Sequence, residues 1–286
     1  QIMLFRAPVR GVLQPIVNAW YAHGLYNLWF VPMALAAAYY FLPKLLGKPI
    51  ANYYLAGMAF WWVAISSAFA GGSRLIGAPV PVWIPTMGIV ANMLLVVGVV
   101  VVALNLFGTL SGSYAAARGS LTLRFVLMSI IGFVLAAALN LALSMRGFAA
   151  TVQFTLFDGL RDWVTFYACF STAMFGAAYF ILPRVTGKEW RSGALISVHG
   201  ATTALGILLM VVGMAYAGWT QGGMLNEPTV PFRQLTDAMT FWFAWRRRLP
   251  PSGPGSKEKL HASKERLSGV TDSEHSRPGR TGRREC

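Results

Sequence analysis

Charge is scarce in this sequence. Lysine, arginine, aspartate and glutamate make up 12% of the 286 residues, while hydrophobic residues make up 56%. Ordinary soluble domains carry about 25% charged residues, so a soluble globular enzyme of this composition would lack the polar groups to cover its surface. Acidic residues number 10 against 24 basic ones, histidines 4 and cysteines 2. Cys169 and Cys286 lie far apart in unlike contexts, which excludes a disulfide framework or a cysteine-built metal site. The opening residues do not read as a secretory signal peptide, and a start at Gln1 rather than Met is what a fragment of a longer protein would show.

Long apolar runs are what the sequence does have. Six stretches, approximately 16–43, 52–71, 82–108, 121–145, 162–183 and 193–218, are long enough to cross a bilayer, which takes about 20 helical residues. The run from Met93 to Leu104 holds no charged residue; an exposed strand or a soluble amphipathic helix would not be apolar on every face. The fold class this predicts is all-α, a polytopic transmembrane helix bundle of six complete spans. Pro32 and Pro85 fall inside stretches one and three, where kinks are expected rather than breaks. Residues 42–48 and 182–188 share the pattern Leu-Pro-basic-x-x-Gly-Lys. With alternating crossings both copies fall on one side, as a distant internal duplication would place them. Loops on that side hold Lys44, Lys48, Arg118, Arg124, Arg184, Lys188 and Arg191, and the other side Arg6, Arg10, Arg74, Arg146, Arg161 and Arg233. The narrow excess puts the Lys44 side in the cytoplasm.

A seventh span starts at Thr240-Phe241-Trp242-Phe243-Ala244-Trp245 and stops at Arg246-Arg247-Arg248. Residues 246–286 are rich in Pro, Gly, Ser and basic residues without apolar periodicity, so they read as a disordered basic tail. The abrupt change inside a nascent helix is that of a truncated or frame-shifted reading. The chain thus divides into a membrane bundle, 1–245, and the tail, 246–286. Membrane lipid is an expected partner, and nucleic acid is not.

Ionisable residues inside spans are costly and therefore informative. His23, flanked by Trp20, Tyr21 and Tyr26, lies in stretch one, and His199 near the start of stretch six. Arg161 and Asp162 stand at the mouth of stretch five, where partners in the headgroup region are expected. His199 reads as a hydrogen-bonded interhelical histidine. Two intramembrane histidines without a Cys pair or an intramembrane Glu do not make a metal site. Gly71-Gly72 and Gly176-Ala177-Ala178 read as close-packing residues.

The order and wording of the spans resemble subunit I of the haem–copper oxidases, closest to the C-family (cbb-type) cytochrome c oxidases. The likeness covers about residues 14–240 and rests on Trp20-Tyr21-Ala22-His23, Tyr40-Phe41-Leu42-Pro43-Lys44, Phe69-Ala70-Gly71 and Pro81-Val82-Trp83. It continues through Thr109-Leu110-Ser111-Gly112, Tyr179-Phe180-Ile181-Leu182-Pro183-Arg184 and Gly218-Trp219-Thr220-Gln221-Gly222. The resemblance implies the second half of a twelve-helix subunit that holds haem b and a haem–copper oxygen site. It also implies oxidation of cytochrome c, oxygen reduction with proton pumping, and other respiratory-complex subunits as partners. The setting would be the bacterial inner (cytoplasmic) membrane.

By that resemblance His23 falls at the first copper-histidine position, a vestigial metal position here. The two adjacent copper histidines fall at Ser73 and Arg74, the active-site tyrosine at Ser67, and the His-x-His haem ligands at Arg161 and Trp163. The other low-spin haem ligand lies upstream of Gln1. Arg, Trp and Ser do not replace imidazole donors. No residue is therefore assigned as catalytic or cofactor-binding, and no cofactor is expected in this chain. The reading is a subunit I-like membrane protein of a respiratory complex without the haem–copper centre, or a non-catalytic structural or assembly paralogue. A nitric oxide reductase-like subunit ranks lower, since no acidic residue lies in the first two spans, and a transporter reading lacks support because paired Gly/Pro-broken helices and a midplane charged site are not evident in the sequence.

Overall fold

The computed structural model describes residues 11–233 and 235–236, and for 116–118 the backbone alone. The seventh span expected from Thr240 and the tail 246–286 lie outside the described residues.

Among the described residues six helices are long and apolar enough to cross a membrane. They are span one, Leu13–Leu46; span two, Tyr53–Leu75; span three, Trp83–Leu110; span four, Leu121–Ser144; span five, Leu156–Thr186; and span six, Gly193–Asn226. No strand occurs among the described residues, so the all-α polytopic bundle stands. Span four is central and touches spans one, three, five and six. Its inward side chains, among them Leu123, Val126, Ile130 and Phe133, join Leu35 and Leu42 of span one and Val99 and Leu106 of span three in the main core. Span six is peripheral, with 6% of its most apolar window buried against 50% for span four.

The shared pattern at 42–48 and 182–188 is a helix stop. Pro43 and Pro183 lie inside the last turn or so of spans one and five, and Gly47 (φ 62°) and Gly187 (φ 65°) end them in the left-handed conformation. That conformation suits glycine because it has no Cβ to clash. The helices meet just ahead of the two copies: Phe41 packs on Phe180 at 5.1 Å, and the Lys44 ammonium sits over the Phe180 ring at 5.5 Å.

The prolines act differently from expectation. Pro85 stands in the first turn of span three, where no N–H donor is required, so nothing is lost there. Pro32 follows a wide π-helical turn, Leu25–Phe30, through which span one continues. A second π-helical turn, Val164–Ser171, lies in span five, and the two face each other through Phe30–Phe166 (5.2 Å) and Phe30–Phe170 (4.7 Å).

Span five begins earlier than hydropathy indicates. Thr155 caps it, its Oγ1 accepting from the Phe157 N–H at 3.2 Å, and Phe154 turns the chain into it with φ 63°. Span six runs past Gly218 to Asn226. Gly218 and Gly222 lie against the Phe157 and Thr151 backbones, where any Cβ would collide, and Gln221 accepts from the Leu156 N–H at 2.9 Å.

Candidate functional site

Of the residues singled out by the sequence, His23, Ser73, Arg74, Arg161 and Asp162 lie at the end of the bundle opposite Lys44. The start of span one, the end of span two and the start of span five meet there. His23 is 1% exposed. Its ring lies near Asn27, one turn on, with Nδ1 3.4 Å from the Asn27 amide nitrogen, and that amide also donates to the His23 carbonyl at 3.1 Å. Trp20 donates from Nε1 to the Ala68 carbonyl at 3.0 Å, which fixes span one against span two. Gly71 makes the contact close: a Cβ there would stand 3.1 Å from the His23 Cβ.

Span two ends in a tight 3₁₀ turn, Gly71–Leu75. This turn presses on span three, with Gly72 and Gly88 so close that a Cβ at either would collide with backbone. Asn92, buried in span three, donates to the Ala70 carbonyl (3.2 Å), the Ser73 hydroxyl (2.9 Å) and its own-helix Gly88 carbonyl (3.0 Å). Ser73 donates in turn to the Ala70 carbonyl at 2.9 Å. The turn aims Arg74 at span five. Its guanidinium forms a two-pronged ion pair with Asp162, one prong at 2.8 Å through Nη1 and the other through Nη2. Gln153 donates to the Arg74 carbonyl at 2.8 Å.

Headgroup partners for Arg161 and Asp162 are therefore overturned. Arg161 is 1% exposed and pairs with Asp158 one turn back, while Asp162 pairs with Arg74. The physical reason is the early start at Leu156, which puts Arg161 inside a packed helix rather than at its mouth. It also removes Arg161 from the loop cations weighed for orientation. His23 lies within electrostatic range of both arginines. His23 Nε2, Arg74 Nε, Arg161 Nε and Nη1, and Gln153 Oε1 are buried without a hydrogen-bond partner among the described residues. His199, at the other end, bonds Tyr179 Oη through Nδ1 at 2.7 Å, the interhelical histidine expected.

The profile of the family described as Cytochrome C and Quinol oxidase polypeptide I matches residues 1–247. The chain belongs to that family. The Cbb3-type cytochrome c oxidase subunit CcoN1 of Stutzerimonas stutzeri is 25% identical over 252 residues, covering 86% of this chain and 50% of that protein. The Cytochrome c oxidase subunit 1 homolog of Azorhizobium caulinodans is 27% identical over 226 residues, 77% of this chain and 40% of that protein. The Cytochrome c oxidase subunit 1 of Rhodobacter capsulatus is 27% identical over 225 residues, 76% of this chain and 41% of that protein. The chain thus spans half or less of the length of these relatives. Haem–copper oxidase subunit I is its family, and it is an integral membrane protein.

The side chains at the positions that the resemblance assigns to the family's metals do not fit haem iron and copper. Of the three copper positions only His23 offers an imidazole. Ser73 spends its hydroxyl on backbone and Asn92, and Arg74 is a cation bound to a carboxylate. Arg161 and Trp163 offer no axial donor. Among the described residues no three His, Cys, Asp or Glu side chains gather as metal ligands.

Sequence reasoning missed Asn92, Gln153 and Asp158. Asn92 carried a signal, an amide in the middle of a strongly apolar run. Gln153 and Asp158 carried none, because their roles depend on where span five starts.

Proposed function

We propose that this chain is a subunit I-like membrane polypeptide of a bacterial cbb-type respiratory complex, and that it acts through its fold and partner surfaces without a haem–copper centre of its own. The observation that carries this reading is the Arg74–Asp162 pair. A guanidinium stands where a copper ligand would be required, and a cation there repels a metal cation. The packed core meanwhile persists through spans one to five, as a role in assembly requires. In this reading electron transfer from cytochrome c to oxygen, with its proton pumping, is carried by an intact oxidase subunit, and this chain packs with other subunits in the cytoplasmic membrane. A structural or assembly paralogue beside an active oxidase is the second form of the reading, and the same Arg–Asp replacement favours it.

The test is a pyridine-haemochrome assay with copper analysis on the purified full-length protein. The expected result is neither haem nor copper in stoichiometric amount. A bis-imidazole haem spectrum with a ligand from residues 150–200 overturns the reading. Co-purification with an active oxidase, without haem of its own, selects the second form. His23→Ala is expected to cost about 1–2 kcal/mol and leave the visible spectrum unchanged; loss of bound metal in that variant contradicts the reading.

A further inference from the structure

We infer that the Arg74–Asp162 pair, with the Arg161–Asp158 pair beside it within span five, forms an ionic staple that joins the end of span two to the start of span five, so that the bundle closes at this end without haem or copper. The inference rests on the reading of a chain without its metal centre. It adds what has taken the centre's place.

Three features carry it. The first is position. Arg74 and Arg161 stand where the resemblance puts a copper and a haem ligand, and Asp162 lies between the two haem-ligand positions. In a metal-loaded relative, coordination bonds at these places would tie spans one, two and five to one cofactor site. Here the ties are direct: Arg74 to Asp162 across 88 residues, Gln153 to the Arg74 carbonyl, and His23 in contact range of Gly71.

The second is chemistry. A planar guanidinium gripping a carboxylate with two N–H donors fixes distance and angle together. One such pair is a geometric joint rather than a loose charge contact. The Arg74 and Asp162 side chains are only 11% and 21% exposed, so water does little to weaken their attraction.

The third is balance. The cluster holds two cations and two anions within one another's electrostatic range. Breaking either pair leaves a net charge in a low-dielectric setting, and breaking a buried pair is strongly destabilising. The cluster therefore works as a set.

The test combines a charge exchange with cofactor deprivation, using the full chain in membranes and after detergent extraction. Arg74→Asp and Asp162→Arg alone should each lower the apparent melting temperature by roughly 10 °C and reduce the monodisperse fraction. The double exchange Arg74→Asp with Asp162→Arg should recover more than half of that shift. Arg74→Lys, which keeps the charge and loses the two-pronged grip, should fall between the wild type and the single reversals. Wild-type protein from haem-deficient, copper-limited cells should melt at the same temperature as protein from supplemented cells. Single reversals without effect, or a double exchange no better than either one, overturn the staple alone. If the double exchange cannot be purified, a wild-type level of Arg74→Ala in membranes overturns it and a depleted level upholds it. Stoichiometric haem or copper in the supplemented wild type, or its destabilisation on deprivation, overturns the metal-free reading and the staple with it.

Discussion

The two ends of the bundle are held together by different chemistry. At the Lys44 end the joints are neutral. Asn105 of span three accepts from the Asn52 N–H at 3.0 Å and donates to the Asn52 carbonyl at 2.9 Å, and Thr109 accepts from the Ala51 N–H at 3.0 Å. Asn52 then caps span two through the Leu55 N–H. The cations there rest on rings: Lys44 on Tyr40 at 4.7 Å and Arg184 on Phe180 at 3.4 Å. At the Arg74 end ion pairs are added to the Asn92 joint, and among the described residues His23 Nε2, Arg74 Nε, two nitrogens of Arg161 and the Asn92 Oδ1 lie buried there without hydrogen-bond partners, against the Tyr39 Oη near Asn105. An amide meeting backbone can satisfy both of its faces locally. A guanidinium has five donors and a carboxylate uses two of them, so ionic joints in a membrane bundle come with unmet polar groups. The difference marks the Arg74 end as the place where the fold accommodates something other than best packing.

The largest effect that would break the comparison is expected at Asp158. Asp158→Ala leaves the fully buried Arg161 guanidinium without its carboxylate and should cost about 3–5 kcal/mol, read as loss of folded protein in a thermal or SDS-unfolding assay. A neutral result would show that the charged end is no more demanding than the other. Gly88→Ala comes next. Its new methyl collides with the backbone of Gly72 and Ser73, and about 1–3 kcal/mol of overpacking should appear in the same assay, together with altered cysteine accessibility near position 74. Asn105→Ala sharpens the contrast from the neutral end. It removes the paired bonds to Asn52 and should cost about 1–2 kcal/mol, with no dependence on salt. A cost as large as that of Asp158→Ala would erase the distinction between the ends.

Much of the fold was legible because apolar runs of span length have few alternatives. Spans one to four and the start of span six fall within a few residues of where hydropathy puts them. Span five does not. Asp158, Arg161 and Asp162 depress its local hydropathy, and their pairing, which makes them affordable in a helix, is a tertiary fact. The end of span six was hidden in the same way, since Thr220, Gln221 and Asn226 read as loop until Gln221 and Asn226 are seen bonding Leu156 and Ala150. The site was half legible. The resemblance assigned positions 23, 73, 74, 161 and 163 to the metal centre, and four of them hold no imidazole. That Arg74 would meet Asp162 required two segments 88 residues apart to be brought together, which no local pattern records.

The facing wide turns in spans one and five have a consequence for register. Each turn bonds i to i+5 and so holds one residue more than an α-helical turn. A single residue advances an α-helix by about 100°, so Leu25–Phe30 resets the angular phase of span one between His23 and the apolar face that begins at Val31. Val164–Ser171 does the same in span five, between Arg161 and the core residue Ala173. Ahead of the turns lie the buried His23 and Arg161, and behind them the core residues Val31, Ala34 and Leu35 of span one and Ala173 and Phe180 of span five. Two faces that a uniform helix would have to aim in one direction are thereby aimed independently. Removing one residue from either turn would restore a regular helix and rotate His23 or Arg161 away from its neighbours while leaving the apolar half in place.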